Sequence, residues 1–216
     1  MSNHRLALLP VRSFRTGKQR LAERMEPETR GDVIQRMLTV ALEAALASGV
    51  FEEIAVVSLD ADVLAWVENR WPDVTKIQQS ELAPGLIPAL ELGREHAKRN
   101  DATAMTVLFA DLPLLSVDDL LQLEAAAGQI AIAPDSADAG TNALTLRTGP
   151  VDLTEFRFQF GVSSFPRHMA EAARFGIKPG IVRAAGLAYD LDTPADLRLL
   201  DTLDRNDELR PERTRA

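Results

Sequence analysis

The sequence predicts an α/β fold with a mostly parallel central sheet and helices on both faces. Short apolar runs alternate along the chain with longer segments whose apolar residues recur at helical spacing. Runs such as 54–59 (IAVVSL) are almost entirely apolar, which is typical of strands buried on both faces. Strands separated by helices imply βαβ crossovers, and these favour parallel pairing.

The predicted elements follow one another in alternation. Strands are expected at 6–11, 54–59, 74–77, 106–110, 129–133, 143–146, 181–184 and 187–190. Helices are expected at 33–48, 60–70, 86–100, 116–127, 164–175 and 193–203. Gly49 and Gly176 predict helix C-termini, because glycine readily takes the left-handed conformation that ends a helix. Asp60, Ser116 and Thr193 predict N-caps, since their side-chain oxygens can accept from free backbone N–H groups.

The length of 216 residues suits a single domain, which we expect over residues 1–203. The last 13 residues, 204–216, contain eight charged residues and one apolar residue larger than Ala. Such a segment cannot bury enough apolar surface to order itself. We therefore predict a charged, disordered tail.

Composition excludes several classes of function. The chain has no Cys and three widely spaced His, so thiolate metal sites, cysteine nucleophiles and polyhistidine metal sites are not expected. Lys and Arg number 24 against 32 Asp and Glu, and the formal charge of −8 argues against binding to nucleic acid. No apolar run approaches the roughly 18 residues of a membrane span. The apolar run 6–11 is too short for a signal-peptide core, so we predict a soluble, cytoplasmic protein without a membrane partner.

Three aspartates follow predicted strands and could hold a divalent cation. Asp111 ends the run 106–110, and Asp190 and Asp192 would share one face of an extended segment. Ligands of such folds bind beyond the carboxyl ends of the strands. A divalent cation would relieve repulsion among three carboxylates, and an all-oxygen ligand set favours Mg²⁺, with Mn²⁺ as an alternative. The competing interpretation is that each Asp only caps a loop or a helix.

Three loops have features of anion binding. Residues 11–21 contain four cations and Gly17 directly after the first strand, although they match neither a P-loop nor a G-x-G-x-x-G fingerprint. The stretch 138–142 (DAGTN) can present backbone N–H groups. In 160–168 (FGVSSFPRH), Gly161 and the two serines lead into a helix whose N-terminus attracts anions. The alternatives are a solvated basic loop, a plain turn and an ordinary serine N-cap. His168, one turn into that helix, is interpreted as a packing or surface residue.

Together these segments resemble the 2-phospho-L-lactate guanylyltransferase family, also described as phosphoenolpyruvate or 3-phospho-D-glycerate guanylyltransferases of coenzyme F-420 biosynthesis. The resemblance covers about residues 5–203. It rests on LLPVRSF…GKQRLA, FADLPLL, GTNAL, FGVSSFPRH and DLDTPADL. It implies a GT-A-type nucleotidyltransferase fold, Mg²⁺, and GTP as the donor to a small phosphorylated acid, with pyrophosphate released. A homodimer is compatible with it.

The resemblance also implies roles for individual residues. Asp111, Asp190 and Asp192 match metal ligands, and Lys18 and Arg12 match triphosphate contacts. Thr141, Gly161 and Ser164 match contacts of the phosphorylated acid, while Gly85 and Asp111 match the nucleotide site. With the three aspartates, Lys18 completes the implied catalytic set.

The chain departs from the family pattern at two positions. Arg12 stands where the family usually has Lys, which keeps a cation but replaces a point charge with a planar fork. Ile87 stands where the family tends to have Asn near the nucleotide base, so the sequence leaves the strictness of guanine preference open.

The main hypothesis is therefore a Mg²⁺-dependent guanylyltransferase. The scarcity of His and Cys agrees with it, since an ionised phosphate acceptor needs no general base. Two alternatives remain at the sequence level. One is a nucleotidyltransferase for another acceptor, such as a sugar phosphate or a molybdenum-cofactor precursor, and the other is a non-catalytic nucleotide-binding module.

Overall fold

One central sheet organises the protein in the computed structural model, which describes residues 4–17 and 26–191. Its strands are β1 (Arg5–Pro10), β2 (Glu53–Ser58), β3 (Thr75–Gln78), β4 (Ala104–Leu108), β5 (Ile130–Pro134), β6 (Thr141–Arg147) and β7 (Gly180–Ile181). The helices within the described residues are α1 (Pro27–Ser48), α2 (Ala61–Arg70), α3 (Leu86–Arg99), α4 (Val117–Ala125), α5 (Ser164–Arg174) and α6 (Ala185–Ala188).

The strand order is β3-β2-β1-β4-β6-β5-β7. Pairings β1–β2, β1–β4, β2–β3 and β5–β7 are parallel, whereas β6 runs antiparallel to both β4 and β5. The sheet is thus mostly parallel, as predicted. Because β1, β2, β3 and β4 run in one direction, the loops that follow them meet at one edge of the sheet.

Two hydrophobic cores cover the two faces of the sheet. Within β1, Ala7 and Leu9 face one core, which α1, α2 and α4 complete, while Leu6 and Leu8 face the other, which α3 and α5 complete. This division follows from the period-two geometry of a strand. Gly93 lets α3 lie directly on β1, because a Cβ at this position would overlap the Leu8 side chain. The prediction of helices on both faces is confirmed.

Most helix-end signals in the sequence act as predicted. Gly49 ends α1 with φ 61°, and Asp60 caps α2 by accepting a hydrogen bond from Asp62 N–H. Ser116 and Asp119 form a complete capping box at the start of α4. The helix α1 begins earlier than the helical spacing of apolar residues from Val33 predicts. It begins at Pro27, since proline suits the first turn, where its missing N–H has no helical acceptor.

The strand predicted at 187–190 is wrong, because 185–188 form the short helix α6. The Leu187 N–H bonds to Ala184 O at 3.1 Å, and the Gly186 N–H bonds to the Asp119 carboxylate at 3.1 Å. These bonds turn the backbone where a strand would keep it extended. Of the strand predicted at 181–184, only Ile181 lies in a strand, at the end of β7. The helix predicted at 193–203 and the predicted tail 204–216 lie outside the described residues.

Candidate functional site

An open cleft of about 1200 Å³ lies at the edge of the sheet where β1, β2 and β4 end. Its walls come from the loop after β1, the segment between β3 and α3, and the residues that follow β4. Among the lining residues are Arg12, Gly17, Gln79, Gly85 and Asp111. This is the edge at which an α/β fold binds its ligands. The sequence-predicted nucleotide residues Arg12, Gly85 and Asp111 therefore share one cleft.

A backbone hydrogen bond joins the segment that contains Asp190 to the segment that contains Asp111. The Leu191 N–H donates to the Asp111 carbonyl at 2.9 Å, which brings Asp190 alongside the end of β4. Leu191 is fully buried in the core, whereas Asp111 and Asp190 are half-buried. The predicted orientation of Leu191 away from the carboxylate side agrees with this burial. Asp192 lies outside the described residues.

Asn142 supports the same region from β6 through both its side chain and its backbone. Its side-chain amide donates to Leu187 O at 2.9 Å, and its backbone carbonyl accepts from Phe109 N–H at 3.1 Å. Asn142 is buried, so these bonds form away from water. It therefore couples the chain before Asp111 to the chain before Asp190. From the sequence, Asn142 is predicted only as part of an anion-binding loop, and no local pattern indicates this connection.

The loop after β1 is built around Gly17 and its neighbours in α1. The Gly17 N–H bonds to Ser13 O at 2.8 Å, and a Cβ would come within 2.7 Å of Ile34 Cδ1. Arg12 is exposed at the cleft, whereas Arg15 pairs with Asp62 at 3.1 Å on the surface. The cations of this loop thus have different surroundings. Lys18 and the rest of the loop to residue 25 lie outside the described residues.

Gln79 shapes the opposite wall of the cleft, a role for which the sequence contains no signal. Its side chain is buried, and Nε2 donates to the carbonyls of Ala83 at 2.7 Å and Gly85 at 2.8 Å. Its backbone N–H donates to Ser58 O at 2.8 Å. One side chain therefore fixes the turn that leads into α3. Gly85 needs to be glycine in this turn, because its φ is 110°.

Two loops meet on the other side of β4 and contain the predicted acid-binding residues. The Phe165 N–H donates to Ala139 O at 3.1 Å and joins the loop before β6 to the start of α5. Thr141 begins β6 and Ser164 begins α5, and both side chains are buried. Gly161 is exposed in the loop just before α5, with φ 116°. The structure therefore gathers these three residues around one junction.

The loop before β6 is ordered by Asp135. Its carboxylate accepts from the N–H groups of Ala137 at 3.1 Å, Ala139 at 2.8 Å and Gly140 at 2.6 Å. Before α5, Ser163 has φ 53°, a left-handed conformation that is strained for a residue with a side chain. Such strain is typical of functional loops, and here it lies beside Ser164.

His168 connects the two loops from within α5. It is fully buried, and its ring lies edge-on to Phe160 at 4.6 Å between centroids. Nε2 bonds to Gln159 N–H at 2.9 Å, and Nδ1 bonds to Thr141 Oγ1 at 3.0 Å. Burial, with a smaller contribution from the charge of Arg167, lowers the pKa of the imidazole to about 4. The sequence predicted a packing or surface residue, of which the structure shows the packing alternative, and the sequence contains no signal for the bond to Thr141.

The described residues contain neither a cluster of metal ligands nor a membrane-spanning helix. Within residues 4–17 and 26–191, no three His, Asp or Glu side chains are grouped so that they could hold a metal ion. In the same part of the chain, no helix combines the length and apolar character needed to cross a membrane.

Comparison with known proteins assigns the chain to a family. The family described as "Guanylyl transferase CofC like" matches residues 5–205, nearly the whole chain. The chain belongs to this guanylyltransferase family. It is accordingly a nucleotidyltransferase, and the resemblance seen in its motifs is confirmed.

Curated relatives agree over most of their length. A phosphoenolpyruvate guanylyltransferase of Sphaerobacter thermophilus is 38% identical over 197 residues, which cover 90% of this chain and 91% of the relative. A 2-phospho-L-lactate guanylyltransferase of Methanothermobacter thermautotrophicus is 31% identical over 88% of this chain and 81% of its own. The relatives of this guanylyltransferase thus include proteins named for two different acids.

Solved structures share the fold at low sequence identity. A nucleotidyl transferase from Methanothermobacter superposes with a TM-score of 0.67 at 16% identity, covering 95% of this chain and 100% of its own. A 4-diphosphocytidyl-2C-methyl-D-erythritol synthase gives a TM-score of 0.65 at 15% identity, covering 94% and 99%. These similarities confirm the nucleotidyltransferase fold of the guanylyltransferase.

Proposed function

We propose that this guanylyltransferase moves GMP from GTP to the phosphate of a small phosphorylated carboxylic acid and releases pyrophosphate. A phosphate oxygen of the acid attacks the α-phosphorus of GTP, and the bond from that phosphorus to the oxygen bridging to the β-phosphate breaks. The observation that supports this most directly is the bond between Leu191 N–H and Asp111 O, which brings Asp190 to the cleft edge beside Asp111. The attacking oxygen is already ionised near neutral pH, so no general base is required.

We propose Asp111 and Asp190, together with Asp192, as the residues that would hold a divalent cation. Nucleotidyltransferases of this kind generally use divalent metals, and Mg²⁺ typically binds through one or two carboxylates and the substrate phosphates. The two described carboxylates supply the hard oxygen donors that this ion prefers, and Mn²⁺ accepts the same set. A bound Mg²⁺ would neutralise negative charge on the triphosphate.

The remaining roles are proposed from the place of each residue in the site. Arg12 borders the cleft and is proposed, with Lys18, to contact the triphosphate, because cations stabilise charge on the departing pyrophosphate. Gly85 is proposed to lie at the nucleotide end of the cleft. Across β4, Thr141, Gly161 and Ser164 are proposed to bind the acid.

The proposal predicts pyrophosphate formation that depends on all substrates. Purified protein is incubated with GTP, Mg²⁺ and one of phosphoenolpyruvate, 2-phospho-L-lactate or 3-phospho-D-glycerate, and pyrophosphate is measured. The downstream transferase is added as a trap, since the diphosphate product can be unstable. At least one acid should give pyrophosphate well above reactions without acid. No pyrophosphate with any of the three would contradict the proposal.

Replacement of Asp190 tests whether its carboxylate binds the metal ion or only supports the structure. D190N keeps the shape but removes the negative charge, so turnover should fall at least about a hundredfold. The matched control is D73N, which changes an exposed aspartate between α2 and β3 and should retain wild-type turnover. Thermal melting of both variants checks the fold. A folded D190N protein with wild-type turnover would remove Asp190 from the proposed metal site.

A further inference from the structure

The bonds of His168 determine which ring nitrogen holds its proton. Nε2 lies 2.9 Å from Gln159 N, a backbone group that can only donate, so Nε2 must accept and is unprotonated. The neutral ring therefore has its proton on Nδ1. Burial opposes the doubly protonated form and keeps the pKa near 4, so this tautomer is the one present at neutral pH.

The tautomer in turn orients the hydroxyl of Thr141. Nδ1–H lies 3.0 Å from Thr141 Oγ1, so the hydroxyl oxygen accepts from the ring. A hydroxyl that accepts here keeps its single hydrogen for another partner. Among the described residues, His168 is the only side chain that hydrogen-bonds to Thr141 Oγ1. The hydrogen is thus directed away from His168 and is free to donate to a ligand.

We propose that His168 is a positioning residue that fixes the Thr141 hydroxyl as a hydrogen-bond donor to an anionic oxygen of the phosphorylated acid. This inference rests on the proposed function, which assigns the acid to Thr141. Phe156 and Phe160 flank the imidazole with centroids at 6.3 and 4.6 Å and hold its plane. A hydrogen bond to a charged oxygen is stronger than one between neutral groups, so the orientation of the Thr141 hydroxyl affects binding of the acid.

Two amide substitutions of His168 distinguish the effects of its two hydrogen bonds, one to Gln159 and one to Thr141. In H168N the amide nitrogen can take the place of Nδ1 and still donate to Thr141. In H168Q the longer amide can accept from Gln159 in place of Nε2, but it has no donor at the position of Nδ1. We expect H168Q to raise the KM for the acid about tenfold or more, and H168N to raise it less, while the KM for GTP stays within about twofold.

A double-mutant cycle with T141V tests whether His168 acts through the hydroxyl. T141V removes the hydroxyl, so H168Q should add little to the acid KM in that background. A merely structural role of His168 would give additive losses and would also move the KM for GTP. The control A170G weakens α5 at an exposed position without touching the site, so it should lower the melting temperature and leave the acid KM unchanged.

A spectroscopic measurement is independent of turnover. Nitrogen-15 NMR of labelled histidine in the wild-type protein at pH 7 should show, for the resonances lost in H168Q, a protonated Nδ1 and an unprotonated Nε2. The opposite tautomer, or a charged ring, would overturn the inference, as would additivity in the cycle. If the tautomer is as stated but no acid gives pyrophosphate, the proposed function fails and the positioning of Thr141 by His168 stands.

Discussion

Single polar side chains that bond to backbone groups hold the loops of this site in place. The side chains of Gln79, Asp135 and Asn142 each bind carbonyls or N–H groups of nearby segments. These segments border either the cleft or the junction between the loop before β6 and the start of α5. A loop without regular structure leaves its backbone groups to be satisfied in this way or by water. Replacing such a side chain therefore alters a loop as well as one bond.

Gln79→Glu tests whether such a side chain holds its loop in place in the cleft wall between β3 and α3. The carboxylate cannot donate to Ala83 O and Gly85 O, and its charge would face two carbonyl oxygens. Under the proposed function, the KM for GTP should rise about three- to tenfold while the acid KM changes little. The matched control is Gln122→Glu, an exposed position on α4. Equal KM values for GTP in the two variants would show that the turn does not depend on Gln79.

At the scale of elements, the contact between α4 and α6 fixes the short helix that precedes Asp190. Asp119 accepts from the Ser116 N–H at 2.8 Å within the capping box and from the Gly186 N–H at 3.1 Å across to α6. Gly186 has no room for a side chain, because a Cβ would overlap the Asp119 carboxylate and lie 2.5 Å from Leu114 O. The helix cap and the approach of α6 thus share one buried carboxylate.

Gly186→Ala should disturb both elements. Relief of the overlap requires α6 or the Asp119 carboxylate to shift, with an expected loss of about 1–3 kcal/mol in the free energy of unfolding. Turnover should also fall, since α6 leads directly into Asp190. Urea unfolding and the pyrophosphate assay measure the two effects, with Ala185→Ser at an exposed position of the same helix as the control. Wild-type stability of the Gly186 variant would show that α6 adapts freely.

At the scale of the whole molecule, stability should depend on pH through His168. Its pKa is about 4 in the folded protein against 6.5 unperturbed, so between these values the unfolded chain binds more protons. The stability contributed by the neutral ring is complete above pH 6.5 and is lost as pH falls towards 4, by at most about 1.4 kcal/mol per pH unit.

A comparison with H168N isolates the contribution of His168 to the pH dependence of stability. The variant has no titrating ring at this position, so its free energy of unfolding should fall less steeply from pH 6.5 to 4.5 than that of the wild type. Urea unfolding at closely spaced pH values gives both curves. Parallel curves over this range would show that His168 does not titrate differently in the folded and unfolded states.

The sequence predicted the order of elements well where local chemistry decides it. Continuous apolar runs gave β1, β2 and β4, and the capping residues Asp60, Ser116 and Gly49 marked helix ends that the structure confirms. It failed at 187–190, where local apolar character suggested a strand. There the bond from Gly186 N–H to Asp119, 67 positions apart, turns the chain into α6.

For the candidate site, the sequence by itself determined which residue types stand after each strand. It identified Asp111 and Asp190, the cationic loop with Arg12, and the loops containing Thr141 and Ser164. Their roles stay predictions. Only the tertiary structure decided that Leu191 pairs with Asp111 and that His168 bonds Thr141 in a defined tautomer. The physical reason is that spacing along one strand or helix is encoded locally, whereas a hydrogen bond between distant segments exists only after the sheet has brought them together.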